Sequence, residues 1–451
     1  METLYTLNPT ALWAQFKKEH FAFWMVCFYV ILQYFDPMEI YHRLDFLPWD
    51  KIVFGLGVLA LPLDPQRCRV RDSTNVWMTL FLVVLIASSA LAIYPSISWA
   101  HWFDFFGWWA IYFLIINTVT TKERFFIFLT LFLLANFKLS FFGARTWISR
   151  GFGFVNWGIE GPPGPFQNSS DLSGEMLMFA PIAFELALFV KPYVRPVTYW
   201  FLMLGAVSGA MTVLGASARG SQVGLAAQGG WMAIQRKLKL KVLIGVALLG
   251  GLGYALLPAG EKARFSRSGT DPTSIQRLDY WRAGLKMIES HPVFGVGFFN
   301  FPAVYAANTP NKLWHGTAQL PHNIFIEVGT DAGLVGLGVF LILIYRNLKL
   351  ATDIQRGCEL NKEAPPFARN VARGLAVATW GFIISGQFNT VAYYPYLWIN
   401  LAMTVSLANI VRRAAEHKSS VVVSRQPRGI SGEIPMPSIR IPEKLSIRAS
   451  E

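Results

Sequence analysis

Residues 122–143, KERFFIFLTLFLLANFKLSFFG, decide the class of fold. An α-helix of this length covers about 30 Å, the thickness of the hydrocarbon layer of a membrane. The whole chain of 451 residues has the matching composition, with 53% hydrophobic and 15% charged residues, whereas soluble domains carry about 25% charged residues. The sequence therefore predicts an integral membrane protein.

Similar apolar windows recur along the chain and predict an all-α polytopic membrane protein with about 12 transmembrane helices. Two of the windows, 51–64 and 221–235, are short, so a tilted or re-entrant helix fits them as well. The predicted spans are 20–35, 51–64, 75–95, 98–118, 122–143, 174–190, 197–216, 221–235, 239–258, 325–345, 371–386 and 392–411.

Lys and Arg residues orient these spans, because they accumulate in cytoplasmic loops. Alternate loops, such as those at Lys17, Arg236 and Arg412, are rich in basic residues, and the opposite short loops, such as those at Arg43 and Arg145, are poor in them. Both termini are therefore predicted to be cytoplasmic (N-in/C-in). The long polar loop between spans 9 and 10 is then on the outer face, since long loops translocate largely regardless of charge.

These predictions divide the chain into five parts. Segment 144–173 within the second part is predicted to be an outer loop of its own. The parts are a cytoplasmic interfacial segment (1–19), transmembrane helices 1–9 (20–258), a large outer loop (259–321), transmembrane helices 10–12 (322–412) and a disordered cytoplasmic tail (413–451).

The large outer loop contains one predicted helix and one tight turn. Asp271-Pro272 is typical of a helix start, and helical periodicity continues to Glu289. Arg277, Trp281 and Gly284 fall on one stripe of this helix. Gly295-Val296-Gly297 then predicts a turn, without the third glycine and flanking strand of a dinucleotide site.

His322 is the candidate general base, because it lies between the outer loop and a predicted span. Its imidazole, with an ordinary pKa near 6.5, can take a proton from a hydroxyl group at neutral pH. A histidine is more often a hydrogen-bonding or interfacial residue, and His291 and His315 on the same face serve as internal controls.

Arg219 and Arg277 are candidate ligands for phosphate oxygens on the same outer face. Arg219 is confined to a connection of only a few residues between two spans, where snorkelling to lipid headgroups is the alternative explanation. A guanidinium offers a rigid fork of donors that suits phosphate better than an ammonium does. Arg282 could substitute for Arg277.

The remaining sequence excludes several classes. It shows no Walker-type loop and no paired outer acids, so neither ATP nor a catalytic metal, and hence no cofactor, is expected. The net charge of +13 indicates contact with anionic membrane lipid rather than nucleic acid, because no basic run is interleaved with aromatic residues outside the inner loops.

The order of these motifs resembles the O-antigen ligase/polymerase superfamily. The motifs are Ser217-Ala218-Arg219-Gly220, Arg277 followed by Trp281, His291-Pro292 followed by the Gly-x-Gly turn, and His322-Asn323 continuing to Asp331-Ala332-Gly333. The resemblance covers roughly residues 20–412, and its motifs lie within about 200–345.

The resemblance implies a membrane glycosyltransferase of the bacterial inner membrane with its active site facing the periplasm. It implies inverting, metal-independent transfer of a glycan from a polyprenyl-pyrophosphate carrier to a hydroxyl of a glycan, lipid or protein acceptor. Arg219 and Arg277 would hold the pyrophosphate, and His322 would be the base. Trp281, Asn323 and Asp331 match the pattern without a defined role.

Three alternatives stay open at this point. A polysaccharide polymerase or a protein O-oligosaccharyltransferase of the same family would share the site residues. A transporter of an anionic substrate is the alternative from another class, although such proteins keep ionisable residues deep in the membrane and only Glu185 is expected there.

Overall fold

A computed structural model describes residues 1–153, 158–236, 262, 270, 272–313 and 316–424. The described part is all-helical, which confirms the predicted helical class. The α-helices are α1 Glu2–Tyr5, α2 Pro9–Phe16, α3 Phe21–Phe35, α4 Pro37–Ile40, α5 Trp49–Ala60, α6 Thr74–Ala90, α7 Pro95–Ala100, α8 Trp102–Thr118, α9 Lys122–Ser149, α10 Ser169–Val190, α11 Pro196–Gly215, α12 Arg219–Gln235, α13 Pro272–Ser290, α14 Phe301–Asn308, α15 Ile324–Leu360, α16 Ala368–Ser385 and α17 Pro395–Ser424. Short 3-10 helices occur at His42–Leu44, Leu61–Leu63, Pro310–Lys312 and Gly386–Phe388.

Each predicted span coincides with a helix except 239–258, which lies outside the described residues. Within the described part, four helices are long and apolar enough to cross a membrane, namely α9, α10, α11 and α15. The helices α3 and α6 are apolar but shorter. The total of twelve spans and the N-in/C-in orientation stay predictions.

Helix α10 forms the centre of the bundle and is buried along nearly its whole length. Small residues let its neighbours approach closely, as is usual between helices in membranes. A Cβ added to Gly209 on α11 would lie 3.1 Å from Ala180, and one added to Gly374 on α16 would lie 2.9 Å from the Cα of Ile182.

Helix α15 is broken at Gly333, which adopts φ 65° and ψ −167°. The break frees backbone groups that pair with the segment after α13: Val296 N–H donates to Thr330 O at 2.8 Å, and Leu334 N–H donates to Pro292 O at 2.7 Å. A Cβ on Gly295 would lie 2.2 Å from Thr330 O. The predicted Gly-x-Gly turn thus packs backbone to backbone on α15 and fixes where α13 sits relative to it.

Two expectations from the sequence are wrong in detail. Helix α17 continues to Ser424, so residues 413–424 are helical rather than part of a disordered tail; residues 425–451 lie outside the described part. The expectation that only Glu185 lies deep is the second, because four further acidic residues of the described helices are also buried, namely Asp171, Glu175, Glu327 and Asp331. They form two pairs four residues apart, Asp171 with Glu175 on α10 and Glu327 with Asp331 on α15.

Candidate active site

One stripe of α13 faces the chain that leads into α15. Trp281 donates its Nε1–H to the carbonyl oxygen of Pro321 at 3.0 Å. One turn further on, a Cβ on Gly284 would lie 2.3 Å from Ile326, so only glycine permits this close contact between α13 and α15. The stripe of Arg277, Trp281 and Gly284 predicted from periodicity therefore faces the His322 region.

Arg219 is the first residue of α12 and approaches the first turn of α13. Its Nη2 lies 3.4 Å from the hydroxyl oxygen of Ser274, one helical turn before Arg277. The chain turns sharply just before it, since Ser217 has a left-handed φ of 55°. A Cβ on Gly220 would lie 2.6 Å from Phe388, so α12 begins in close contact with the turn that follows α16.

His322 lies in a strained backbone conformation immediately before α15. Its φ of 53° is uncommon for a residue with a Cβ. The conformation is held by its own N–H, which donates to Thr390 Oγ1 at 2.9 Å. Its imidazole Nε2 lies 3.2 Å from Gln319 Oε1, and the side chain is only partly buried. Strained residues of this kind cluster at functional sites.

Burial and the positive charge of Arg277 lower the pKa of His322 from 6.5 to about 4. The Arg277 guanidinium therefore interacts electrostatically with the His322 imidazole. At neutral pH His322 is therefore uncharged and has a nitrogen lone pair free to accept a proton.

The side chain of Asn323 forms hydrogen bonds with backbone groups. Its Oδ1 caps α15 by accepting from Phe325 N–H at 2.9 Å and Ile326 N–H at 3.2 Å. Its Nδ2 donates to Gln387 O at 3.2 Å, which ties the start of α15 to the turn after α16. Asn323 thereby fixes the position of the neighbouring His322.

Two of the predicted residues lie apart from this cluster. Arg282 is 72% exposed in its side chain and pairs with Asp279 at 3.4 Å on another face of α13. Asp331 lies about two turns along α15 from His322, next to the break at Gly333, where it is buried and its carbonyl oxygen accepts from Ser88. The control His315 lies outside the described residues.

Sequence reasoning missed Ser274, Gln319 and Thr390. Ser274 precedes Arg277 by three residues and falls on the same stripe, so helical spacing could have found it. Thr390 reaches His322 from a loop that is 68 residues away in the chain, and no local pattern marks it.

The fold and the cluster define a polytopic helical protein with an arginine and histidine site at one end of the bundle. Residues 204–341, which include Arg219, Arg277 and His322, match the family model described as O-antigen ligase. The match confirms the resemblance to the O-antigen ligase/polymerase superfamily.

Curated relatives match a shorter part of the chain. A protein of Rickettsia felis named "Putative polysaccharide ligase" is 29% identical over 91 residues, which are 19% of this chain and 22% of the relative. A protein of Rickettsia conorii with the same description is 26% identical over 91 residues with the same coverage. The chain thus spans about 22% of the length of the relatives it matches.

Proposed function

We propose that the protein transfers a glycan from a polyprenyl-pyrophosphate carrier to an acceptor hydroxyl on the periplasmic face of the bacterial inner membrane. The observation that carries this proposal is the convergence of two arginines and one neutral histidine from separate parts of the chain. Arg219 begins α12, Arg277 lies on α13, and His322 precedes α15.

Each residue then has a defined task in the reaction. The His322 imidazole takes the proton of the acceptor hydroxyl, and the oxygen attacks the anomeric carbon of the carrier-bound sugar. The bond from that carbon to the phosphate oxygen breaks, and the pyrophosphate leaves with the electron pair. Arg219 and Arg277 stabilise the charge that develops on the leaving group, and attack from the opposite side inverts the anomeric centre.

Reconstitution of the full chain with a lipid-pyrophosphate glycan tests the class of activity. Glycan joined to a separate acceptor supports a ligase or a protein O-oligosaccharyltransferase, and the mass of the product distinguishes lipid, glycan and protein acceptors. A lengthened carrier-bound glycan indicates a polymerase. Movement of the donor across the bilayer without a change in bonds indicates the transporter, the alternative that the buried carboxyl groups of Glu175, Glu185 and Glu327 favour.

Replacing Arg219 or Arg277 by lysine is expected to weaken binding of a polyprenyl pyrophosphate by about tenfold or more. Lysine keeps the charge but loses the two-pronged contact with phosphate, and a charge-assisted hydrogen bond contributes about 1.5–3 kcal/mol. Calorimetric titration of the purified protein with farnesyl pyrophosphate measures the change. Arg282→Lys is the matched control, since Arg282 is exposed and paired with Asp279. Wild-type affinity in both site variants would contradict the assignment.

As the pH is lowered, kcat/KM is expected to fall near pH 4 rather than near pH 6.5. Transfer needs neutral His322, so the rate is lost as pH falls through the pKa of about 4 in the free protein. Arg277→Gln removes a positive charge that lowers this pKa, so its acid limb should lie at higher pH.

Initial rates of transfer between about pH 3 and 8 measure the position of the limb in each variant. Arg282→Gln should leave it unchanged. A wild-type limb at pH 6.5, or equal limbs in wild type and Arg277→Gln, would contradict the role of His322 as the titrating base.

A further inference from the structure

A cavity of about 590 Å³ adjoins the His322 region. Its lining comes from the C-terminal part of α3 and from the N-terminal parts of α5, α8 and α15, so it opens at the same end of the bundle as the histidine. Thr390 connects the cavity with His322, because its Oγ1 accepts a hydrogen bond from the His322 N–H and the residue also lines the cavity. Leu320, two residues before His322, also lines it.

Aromatic rings and a few polar groups share the wall of this cavity. The aromatic residues include Tyr29, Phe103, Trp108, Phe299, Tyr393 and Tyr394. Gln33, Asp104 and Glu327 supply amide and carboxyl groups between them. The C–H faces of a pyranose ring pack on aromatic rings, and its hydroxyls bond to carboxyl and amide groups, so this lining matches a carbohydrate.

The acidic residues on the wall make the cavity a poor site for an anion. Three acidic residues, Asp50, Asp104 and Glu327, line the cavity beside a single basic one, Lys51. Within the described part of the chain, neither Arg219 nor Arg277 contributes to the lining. A pyrophosphate is therefore better placed at the arginines, and the cavity suits an uncharged sugar.

We infer that this cavity binds the sugar of the acceptor that carries the attacking hydroxyl, with Glu327 and Asp104 bonding to its other hydroxyls. The inference rests on the proposed function, because inversion requires the acceptor to approach from the side opposite the leaving pyrophosphate. The backbone N–H of His322 bonds to Thr390 of the cavity wall, and its imidazole interacts with Arg277, so His322 can take the proton of a hydroxyl that enters from the cavity.

A large side chain substituted for Gly107 on α8 would fill the cavity. It lines the wall, and a Cβ at this position meets no atom within 4 Å, so a large side chain can extend into the space. Gly230 on α12 is the matched control, since its Cβ also meets no atom within 4 Å and it lies outside the lining. Gly107→Leu, Gly107→Trp and Gly230→Trp form the series.

Saturation-transfer NMR on the purified full chain measures binding of methyl β-D-glucopyranoside, methyl α-D-mannopyranoside and methyl 2-acetamido-2-deoxy-β-D-glucopyranoside. Wild type and Gly230→Trp are expected to bind at least one of them and to bind methyl β-D-glucopyranosiduronate, the anionic counterpart, more weakly. Gly107→Trp should weaken binding by about tenfold or more, with Gly107→Leu between. Farnesyl pyrophosphate should bind all four proteins equally, which also shows that they are folded.

Three outcomes would overturn the inference. The first is that the wild type binds no pyranoside, and the second is that Gly107→Trp binds pyranosides as well as the wild type does. The third is that Gly107→Trp loses affinity for farnesyl pyrophosphate, or that its donor KM rises instead of its acceptor KM. A different result would contradict the proposed function alone. In that result Gly107→Trp loses pyranoside binding, but Arg219→Lys and Arg277→Lys keep full affinity for farnesyl pyrophosphate.

Discussion

His322→Ala is expected to lower the rate of glycan transfer by about 10²–10⁴-fold, the usual contribution of a general base. The variant should fold and insert normally, because the contacts that fix this part of the chain use the backbone N–H of His322 and the side chain of Asn323. Affinity for farnesyl pyrophosphate should stay close to that of the wild type. Single-turnover transfer with a radiolabelled lipid-pyrophosphate glycan measures the loss.

His291→Ala is the control for this substitution. His291 is exposed, and its ring bonds to the neighbouring Ser290 at 3.0 Å rather than to the arginine cluster. We expect its rate to stay within a factor of about two of the wild type, since surface substitutions usually have small effects. Near-full transfer by His322→Ala, or equal losses in both variants, would remove His322 from the proposed role.

Gly333→Ala is expected to have the largest effect on the folded state. Gly333 has a positive φ, and a Cβ there would lie 2.3 Å from the carbonyl oxygen of Val293. The backbone can relieve this overlap only by separating α15 from the segment after α13, which breaks the hydrogen bonds at Thr330 and Pro292. We expect a loss of about 3 kcal/mol or more, seen as a lower yield of monodisperse protein and a lower Tm.

Gly338→Ala on the same helix should have the opposite sign. Gly338 has no positive φ, and its Cβ would meet no atom within 4 Å. Alanine in such a helical position is expected to stabilise by about 0.5–1 kcal/mol. A Tm for Gly333→Ala equal to that of the wild type would show that the break in α15 does not need glycine.

Sequence patterns within single segments predicted the helices and the face of α13 that points toward His322. Apolar windows marked the helices, and the spacing of Arg277, Trp281 and Gly284 predicted a stripe that the structure turns toward His322. The glycines at 295 and 297 were recognised as turn residues. Their partner was not, because the break at Gly333 is enforced by carbonyl groups from a distant segment.

Long-range contacts explain what the sequence could not reveal about the site. Thr390 contacts His322 across 68 residues, and Glu327 reaches the cavity wall from inside a helix that reads as a membrane span. Arg282 has the same chemistry as Arg277 but lies five residues further along the chain, so its side chain lies on another face of α13.

The cavity beside His322 also has a consequence for how this protein and proteins similar to it could diversify. Most of its wall, from Tyr29 to Trp108 and from Thr390 onward, lies outside residues 204–341, whereas all three proposed reaction residues lie inside them. In the proposed function, most acceptor contacts other than Glu327 are then encoded in different stretches of one gene from the residues that act on the donor. A chimaera that exchanges the first 120 residues between two relatives should exchange acceptor preference while keeping the same lipid carrier.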